Sequence, residues 1–311
     1  MLRKFAIQAV LFFIPVIMGC IAVEMITRNL PMRYAYVSKY LEKESAQLEV
    51  LVLGSSQMKD AINPQWLSRP TINLASTSQH HNTDLKLFRG LKDQMPLLNT
   101  VVVELSYAHL ELPHNDGEFW KNNVYLEYYG VNCFDRKAWF KDRFIYISNP
   151  PFYSDAIYKE YISKEDKDVF NEFGFNINCY EGAFSRNNFD EDKIAQLDFV
   201  VQTSENIEIF KYNSHYFFNM IKELETMGLD VIVTTTPLYK SYKEKRNPNI
   251  LKRRDSILEV VERRHPKVRI FNCETDCSEF TIKDFLNYNH LNRDGARKFT
   301  EKLDNFLQIS P

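Results

Sequence analysis

The chain has 311 residues and a formal net charge of −2, from 39 Lys and Arg against 41 Asp and Glu. That balance excludes a dedicated nucleic-acid binder, which needs a net basic face for phosphates. Hydrophobic content of 44% and charged content of 26% suit a globular protein whose core can carry one α/β domain and an insertion.

Met1-Leu2-Arg3-Lys4 is a short basic start, followed by 19 uncharged residues from Phe5 to Val23. At ~1.5 Å per residue that run spans a ~30 Å hydrocarbon core, and Pro15 in its middle is tolerated in membrane helices. No Ala-x-Ala-like exit follows, so an uncleaved signal anchor through residues 5–26 is expected rather than a cleaved leader. Arg3 and Lys4 favour a cytoplasmic N-terminus, although Arg28 and Arg33 stand on the other flank. The expected organisation is an anchor and linker at 1–33 and one domain at 34–311.

Tyr34 to Leu48 reads as an amphipathic helix. Val50 to Leu53 are four apolar residues in a row, as in a strand covered on both faces, and Gly54-Ser55-Ser56 turns out of it. A second strand is expected over 71–75, with a helix opened by Ser76-Thr77-Ser78 and running to about Met95. Val101-Val102-Val103 marks the third strand. From Tyr107 to about Val200 the rhythm breaks into aromatic-rich sequence, an insertion expected to wall the carboxyl edge of the sheet. A helix from Ser204 to Met227, stopped by Gly228, leads to a fourth strand at Leu229–Thr234. A helix over 247–265, a fifth strand at Val268–Phe271 and a last helix at about 294–307 complete the chain. Asn63-Pro64 reads as a turn between the first two strands, and crossover helices in three of the four strand intervals predict a parallel sheet and a three-layer α/β/α domain.

In such a sheet ligands bind outside the carboxyl ends of the strands. Ser56 lies at the end of the first strand, and His290 lies in the polar loop Asn287-Tyr288-Asn289-His290 after the fifth. A serine hydroxyl needs a general base within hydrogen-bond reach, and the two residues are expected to meet on this rim. His80 and His81 begin a helix near it and read as an exposed pair, with His80 a candidate substrate contact; His109 and His114 read as surface residues of the insertion. No metal is expected, because ligands at zinc-like spacing are missing, and no cofactor. Cys273 and Cys277, four apart, leave a disulfide open should the domain be extracytoplasmic.

These motifs resemble the SGNH/GDSL hydrolase superfamily, over roughly residues 49–307 without the insertion. The resemblance looks closest to membrane-anchored bacterial members such as the alginate acetylation and teichoic acid D-alanylation proteins. Gly54-Ser55-Ser56 is similar to the nucleophile turn, which implies Ser56 as nucleophile. His290-Leu291-Asn292 with Gly295-Ala296 is similar to the block that carries the base. Ile72-Asn73-Leu74-Ala75 with Ser76 to Gln79 resembles the second block, which implies an oxyanion hole around Gly54, Ser76 and Ser78. The resemblance implies an SGNH or flavodoxin-like sheet and a serine esterase or acyltransferase outside the cytoplasmic membrane. Its substrate would be O-acyl, above all O-acetyl, groups of cell-surface polysaccharide, and its partner a membrane-bound O-acyltransferase.

Two departures from the family pattern stand out. Asn287 occupies the position of the triad acid, so Asn287 as orienter, Asp284 as a recruited acid, and loss of activity all stay open. Glu104-Leu105-Ser106-Tyr107 replaces a block that often supplies an Asn donor, leaving Ser106 as a substrate-contact candidate. Without catalysis, the expectation is a binding or assembly protein of the same fold.

Overall fold

Five short strands of β-branched and leucine-rich sequence pair in parallel and fix the architecture. They are β1 Val50–Leu53, β2 Thr71–Asn73, β3 Thr100–Glu104, β4 Asp230–Thr235 and β5 Arg269–Asn272. The order is β2-β1-β3-β4-β5, the flavodoxin-like doubly wound arrangement with a switch point between β1 and β3. Val50 pairs with Thr71 on one side and Thr100 on the other, so β1 lies inside the sheet with all four side chains buried.

The computed structural model describes residues 2–115, 118–163, 168–274 and 279–309. The chain divides into two units, Met1–Met32 with Gly117–Lys167, and Arg33–Asp116 with Asp168–Pro311. The aromatic-rich segment is therefore shared: 117–167 groups with the N-terminal helix, and the rest with the sheet.

The sheet unit is a three-layer α/β/α domain. Val50, Val52, Val102 and Ile232 face a core with Met58, Ala61, Phe299, Leu303 and Leu307, which come from helices Ser56–Ala61 and Arg293–Gln308. Side chains alternate along a strand, so Leu51, Leu53, Val101, Val103, Val231 and Val233 point to the other layer; they too are at most 1% exposed. There the helices His81–Leu91 and Ile207–Thr226 pack on one another and Pro248–Arg264 packs on β5. Every link between successive strands holds a helix, including β1 to β2, where the sequence suggests only the Asn63-Pro64 turn.

Some element boundaries differ from expectation, the helix after β2 by the most. The helix after β2 begins at His81, with His80 Nδ1 accepting the His81 N–H at 3.0 Å. It does not begin at Ser76, whose N–H donates to Gly54 O at 3.0 Å, while Ser78 turns the chain with φ +60°. Strands β4 and β5 are each displaced by one residue from the expected spans.

In the other unit, the helix Leu2–Arg28 is long and apolar enough to cross a membrane. Its first acidic residue, Glu24, is buried and accepts the Ile145 and Tyr146 N–H groups, each at 3.0 Å. Leu30, Ile145 and Tyr153 form a small core there with Trp120, Tyr128 and Tyr146, so these aromatics fill a satellite core.

Candidate functional site

The turn after β1 is built from its own neighbours. Gly54 has φ +143°, a conformation that L side chains rarely adopt, and an added Cβ would lie 2.6 Å from Glu104 Oε2. Ser55 caps the helix Ser56–Ala61, its Oγ accepting the Gln57 N–H at 3.3 Å. Glu104, the last residue of β3, accepts from Ser55 twice: from its N–H, and from its Oγ–H at 3.0 Å. The turn is thereby clamped from the adjacent strand, and Ser56 presents its hydroxyl at the carboxyl edge.

His290 arrives on a loop shaped by the last third of the chain. Phe285 and Leu291 form an isolated antiparallel bridge, and the Leu286 N–H donates to His290 O at 2.9 Å. Asn292 Oδ1 caps the last helix through the Asp294 and Gly295 N–H groups. Gly295 allows that helix to pass Asp284, whose carbonyl oxygen would lie 2.1 Å from an added Cβ.

Ser56 Oγ and His290 Nε2 are 2.9 Å apart. Asn287 Oδ1 accepts the Asn289 and His290 N–H groups at 3.1 and 3.0 Å, which fixes its amide with oxygen toward the imidazole. His290 Nδ1 is 3.1 Å from that oxygen and 3.0 Å from Asn289 Oδ1. Two acceptors require the proton on Nδ1, so Nε2 carries a lone pair that accepts the Ser56 hydroxyl hydrogen bond. Burial lowers the His290 pKa from its ordinary value, with Asp60 opposing, and favours the neutral, proton-accepting form. Sequence reasoning missed Asn289 as a second acceptor; its only signal is adjacency to His290.

Several expected roles fall elsewhere. Asp284 is not recruited to His290: its buried carboxylate accepts the Thr281 N–H at 2.7 Å and Oγ1–H at 3.0 Å, and pairs with Lys298 Nζ at 2.8 Å. Gly54 and Ser76 do not offer free oxyanion donors, because the Gly54 N–H bonds Asp84 and the Ser76 N–H bonds Gly54 O. Ser78 is exposed on its left-handed turn. The Ser56 N–H, at the first helical position, has no intrahelical acceptor and belongs to the residue that carries the hydroxyl. Ser106 hydrogen-bonds Glu104, which ties it to the serine clamp. The Cys273–Cys277 pairing involves residue 277, outside the described residues.

His80 and His81 are not exposed and His109 is not a surface residue; they are 4%, 0% and 4% accessible. They cluster beside Glu104, with His81 and His109 stacked at 4.3 Å and His80 edge-on to His109 at 4.5 Å. Burial holds His80 neutral, its pKa lowered to about 3, and pushes His81 and His109 well below the ordinary value. The same burial raises Asp84 to about 8 and raises Glu104. Sequence reasoning missed Glu104, although an acidic residue closing a run of three valines is a visible signal.

A cavity of about 340 Å³ opens along the same edge, lined in part by Leu238, Tyr239, Phe280 and Phe285. Neither Ser56 nor His290 lines it.

No family model matches this chain, and no curated protein matches it in sequence. Among solved structures, the chain is similar to one provisionally described as a platelet activating factor from Streptococcus pneumonia. That match has 8% identity and a TM-score of 0.42, covering 98% of this chain and 99% of the other. It is also similar to a GDSL-like lipase from Bacteroides thetaiotaomicron, with 10% identity and a TM-score of 0.41 over 88% of this chain and 97% of that one. An acylhydrolase, provisionally so described, from Bacteroides fragilis shares 11% identity at a TM-score of 0.37, with the same coverages. At such identities and scores the likeness is one of general chain course and carries nothing about activity.

Proposed function

We propose that this chain is a serine acyl esterase or acyltransferase of the SGNH/GDSL type, tethered to a membrane by residues 5–26. Its domain would lie outside the cytoplasmic membrane and act on O-acyl groups, above all O-acetyl, of cell-surface polysaccharide. The observation that carries the reading is the 2.9 Å contact from Ser56 Oγ to His290 Nε2, with Nδ1 held by amide oxygens. Ser56 Oγ attacks the acyl carbonyl as His290 Nε2 takes its proton. The Ser56 N–H supports the oxyanion. His290 then protonates the leaving sugar oxygen, and water or a second sugar hydroxyl resolves the acyl-enzyme.

A fluorophosphonate probe tests this directly. Wild-type chain should label at Ser56, with labelling lost in Ser56→Ala and reduced by about 10³-fold or more in His290→Ala. Wild-type chain that no serine probe labels overturns the reading.

A second reading is favoured by a specific observation: an amide, not a carboxylate, stands behind His290, and two of the expected oxyanion N–H groups are spent. Such a chain would bind acylated glycan, or assemble with a membrane-bound O-acyltransferase, without turnover. Glycan binding by wild type and Ser56→Ala alike, with no labelling, would select it.

A further inference from the structure

Below the serine clamp lies a buried polar cluster that the Ser56–His290 chemistry does not use. One ring nitrogen of each of His80, His81 and His109 lies within 4.8 Å of the others. Among the described residues, His81 Nδ1 and both ring nitrogens of His109 are buried with no hydrogen-bond partner. Such an orphan ordinarily loses its hydration for nothing in return, and an occupant bound by one nitrogen of each ring would satisfy two of the three. Water would satisfy them singly. The rest of the cluster points to a cation.

Three features make the case. First, the His80 Nε2–H donates to His109 O at 2.7 Å and the His81 Nε2–H to Glu104 O at 2.8 Å. A backbone carbonyl on one ring nitrogen is the support that metal-binding imidazoles commonly have, and it leaves the lone pair on Nδ1. Second, the carboxylate of Glu104 is fully buried with one oxygen 4.0 Å from His109 Nδ1, an acidic neighbour at the edge of the three-histidine group. Third, no lysine or arginine ion pair to Glu104 is found among the described residues, and its side-chain hydrogen bonds come from serines.

We propose that His80, His81 and His109, with Glu104, bind one divalent cation of the zinc class beneath the Ser55–Ser56 turn. Imidazole with carboxylate suits such ions. Ligands at ~2.0–2.1 Å from a tetrahedral ion lie about 3.3 Å apart, so the cluster closes chiefly by rotation of the His109 ring, which no hydrogen bond pins. His80 Nδ1 exchanges its bond from the His81 N–H for the ion. The ion carries no step of the serine chemistry. It neutralises Glu104 and stiffens the residue that clamps Ser55, which makes it a structural metal whose binding stabilises the folded chain. This proposal does not depend on Ser56 being catalytic.

The test uses the full chain in detergent, purified without a histidine tag. Wild type should carry about one zinc-class ion per chain by elemental mass spectrometry. Chelator-treated chain should regain stability on addition of Zn²⁺, its thermal midpoint rising with metal concentration. Co²⁺ should give visible absorption of a four-coordinate site. His109→Asn should lose all three signals, and His290→Gln should keep them, which separates this site from the serine's base. Should His109→Asn fail to fold, the wild-type measurements decide. Wild type with only trace metal, no change of midpoint with Zn²⁺ and no Co²⁺ absorption overturns the proposal.

Discussion

The serine turn and the histidine loop meet across 2.9 Å, but they are held in place by different parts of the chain. The turn depends on the sheet: β1 delivers it, Gly54 bends it, Ser55 caps it, and Glu104 on the neighbouring strand clamps it. The loop depends on the returning part of the aromatic-rich segment. Tyr288 stacks on Phe199 at 3.5 Å, meets Phe184 edge-on at 5.0 Å, and donates its hydroxyl proton to Ile194 O at 2.6 Å. The Phe184 N–H donates to Leu286 O, and the Arg293 N–H to Cys179 O. The difference teaches that the placing of Ser56 is a property of the fold, whereas His290 is positioned by the insertion.

The largest expected effect breaks the turn. In Gly54→Ala the new methyl would meet Glu104 Oε2 at 2.6 Å, Glu104 Cβ at 2.8 Å and Met58 Cγ at 2.9 Å, at a φ of +143°. Backbone strain costs ~1–3 kcal/mol and overpacking a further ~1–3 kcal/mol. Denaturant unfolding should show the sheet unit lost or severely weakened. A stable, fully labelled Gly54→Ala chain would mean that the turn is not clamped as described.

Phe184→Ala attacks the other side. Phe184 is fully buried among Tyr239, Phe285 and Tyr288, and its truncation should cost ~3–5 kcal/mol. Probe labelling of Ser56 should slow, because His290 loses the wall that seats its loop while the serine turn stays intact. Unchanged labelling at reduced stability would show that the loop holds itself.

This asymmetry also sets what was legible in the sequence. Val50–Leu53, Gly54 and Val101–Val103 are short-range signals: an apolar run is a buried strand, and a glycine at its end is a turn. From these the parallel sheet and the edge shared by Ser56 and His290 follow. The packing of Phe184 and Phe199 on Tyr288 joins residues about 90–100 apart in a segment with no periodicity, and no local rule pairs them. The burial of His80, His81 and His109 was hidden for a similar reason. Polar residues read as surface until the chain brings them together, and a histidine triplet from two separate segments has no spacing to detect. Glu104 was visible, but its role depends on β1 and β3 being neighbours.

A smaller effect sharpens the clamp. Glu104→Gln keeps one acceptor oxygen for Ser55 and replaces the other with a donor that faces the Ser55 N–H. Stability should fall by ~1–3 kcal/mol, and the rate of probe labelling by about tenfold, with the pH dependence set by His290 unmoved. A shifted pH profile would instead tie Glu104 to the base.

The smallest structural change tests whether the histidine loop limits turnover. In Asn287→Asp the new carboxylate can keep the Asn289 and His290 N–H bonds and adds a charge about 3.1 Å from Nδ1. At present burial lowers the His290 pKa from 6.5. A base that must be neutral then keeps working below that pH, and the acid limb of kcat/KM on an aryl acetate lies under about 6.5. The linked stability has the same sign. With the folded pKa below the unfolded one, the contribution is present above about 6.5 and is lost as pH falls through the folded value. An aspartate favours the imidazolium and raises the pKa by ~1–3 units, so the acid limb should move upward. The same charge stabilises the imidazolium that forms when Ser56 attacks, so kcat at pH 8 should rise by about tenfold, or about 1.4 kcal/mol of barrier. A limb that moves without a gain in rate would show that proton transfer to His290 does not limit turnover. Neither movement nor gain would leave the 2.9 Å contact without a catalytic consequence and favour the assembly reading.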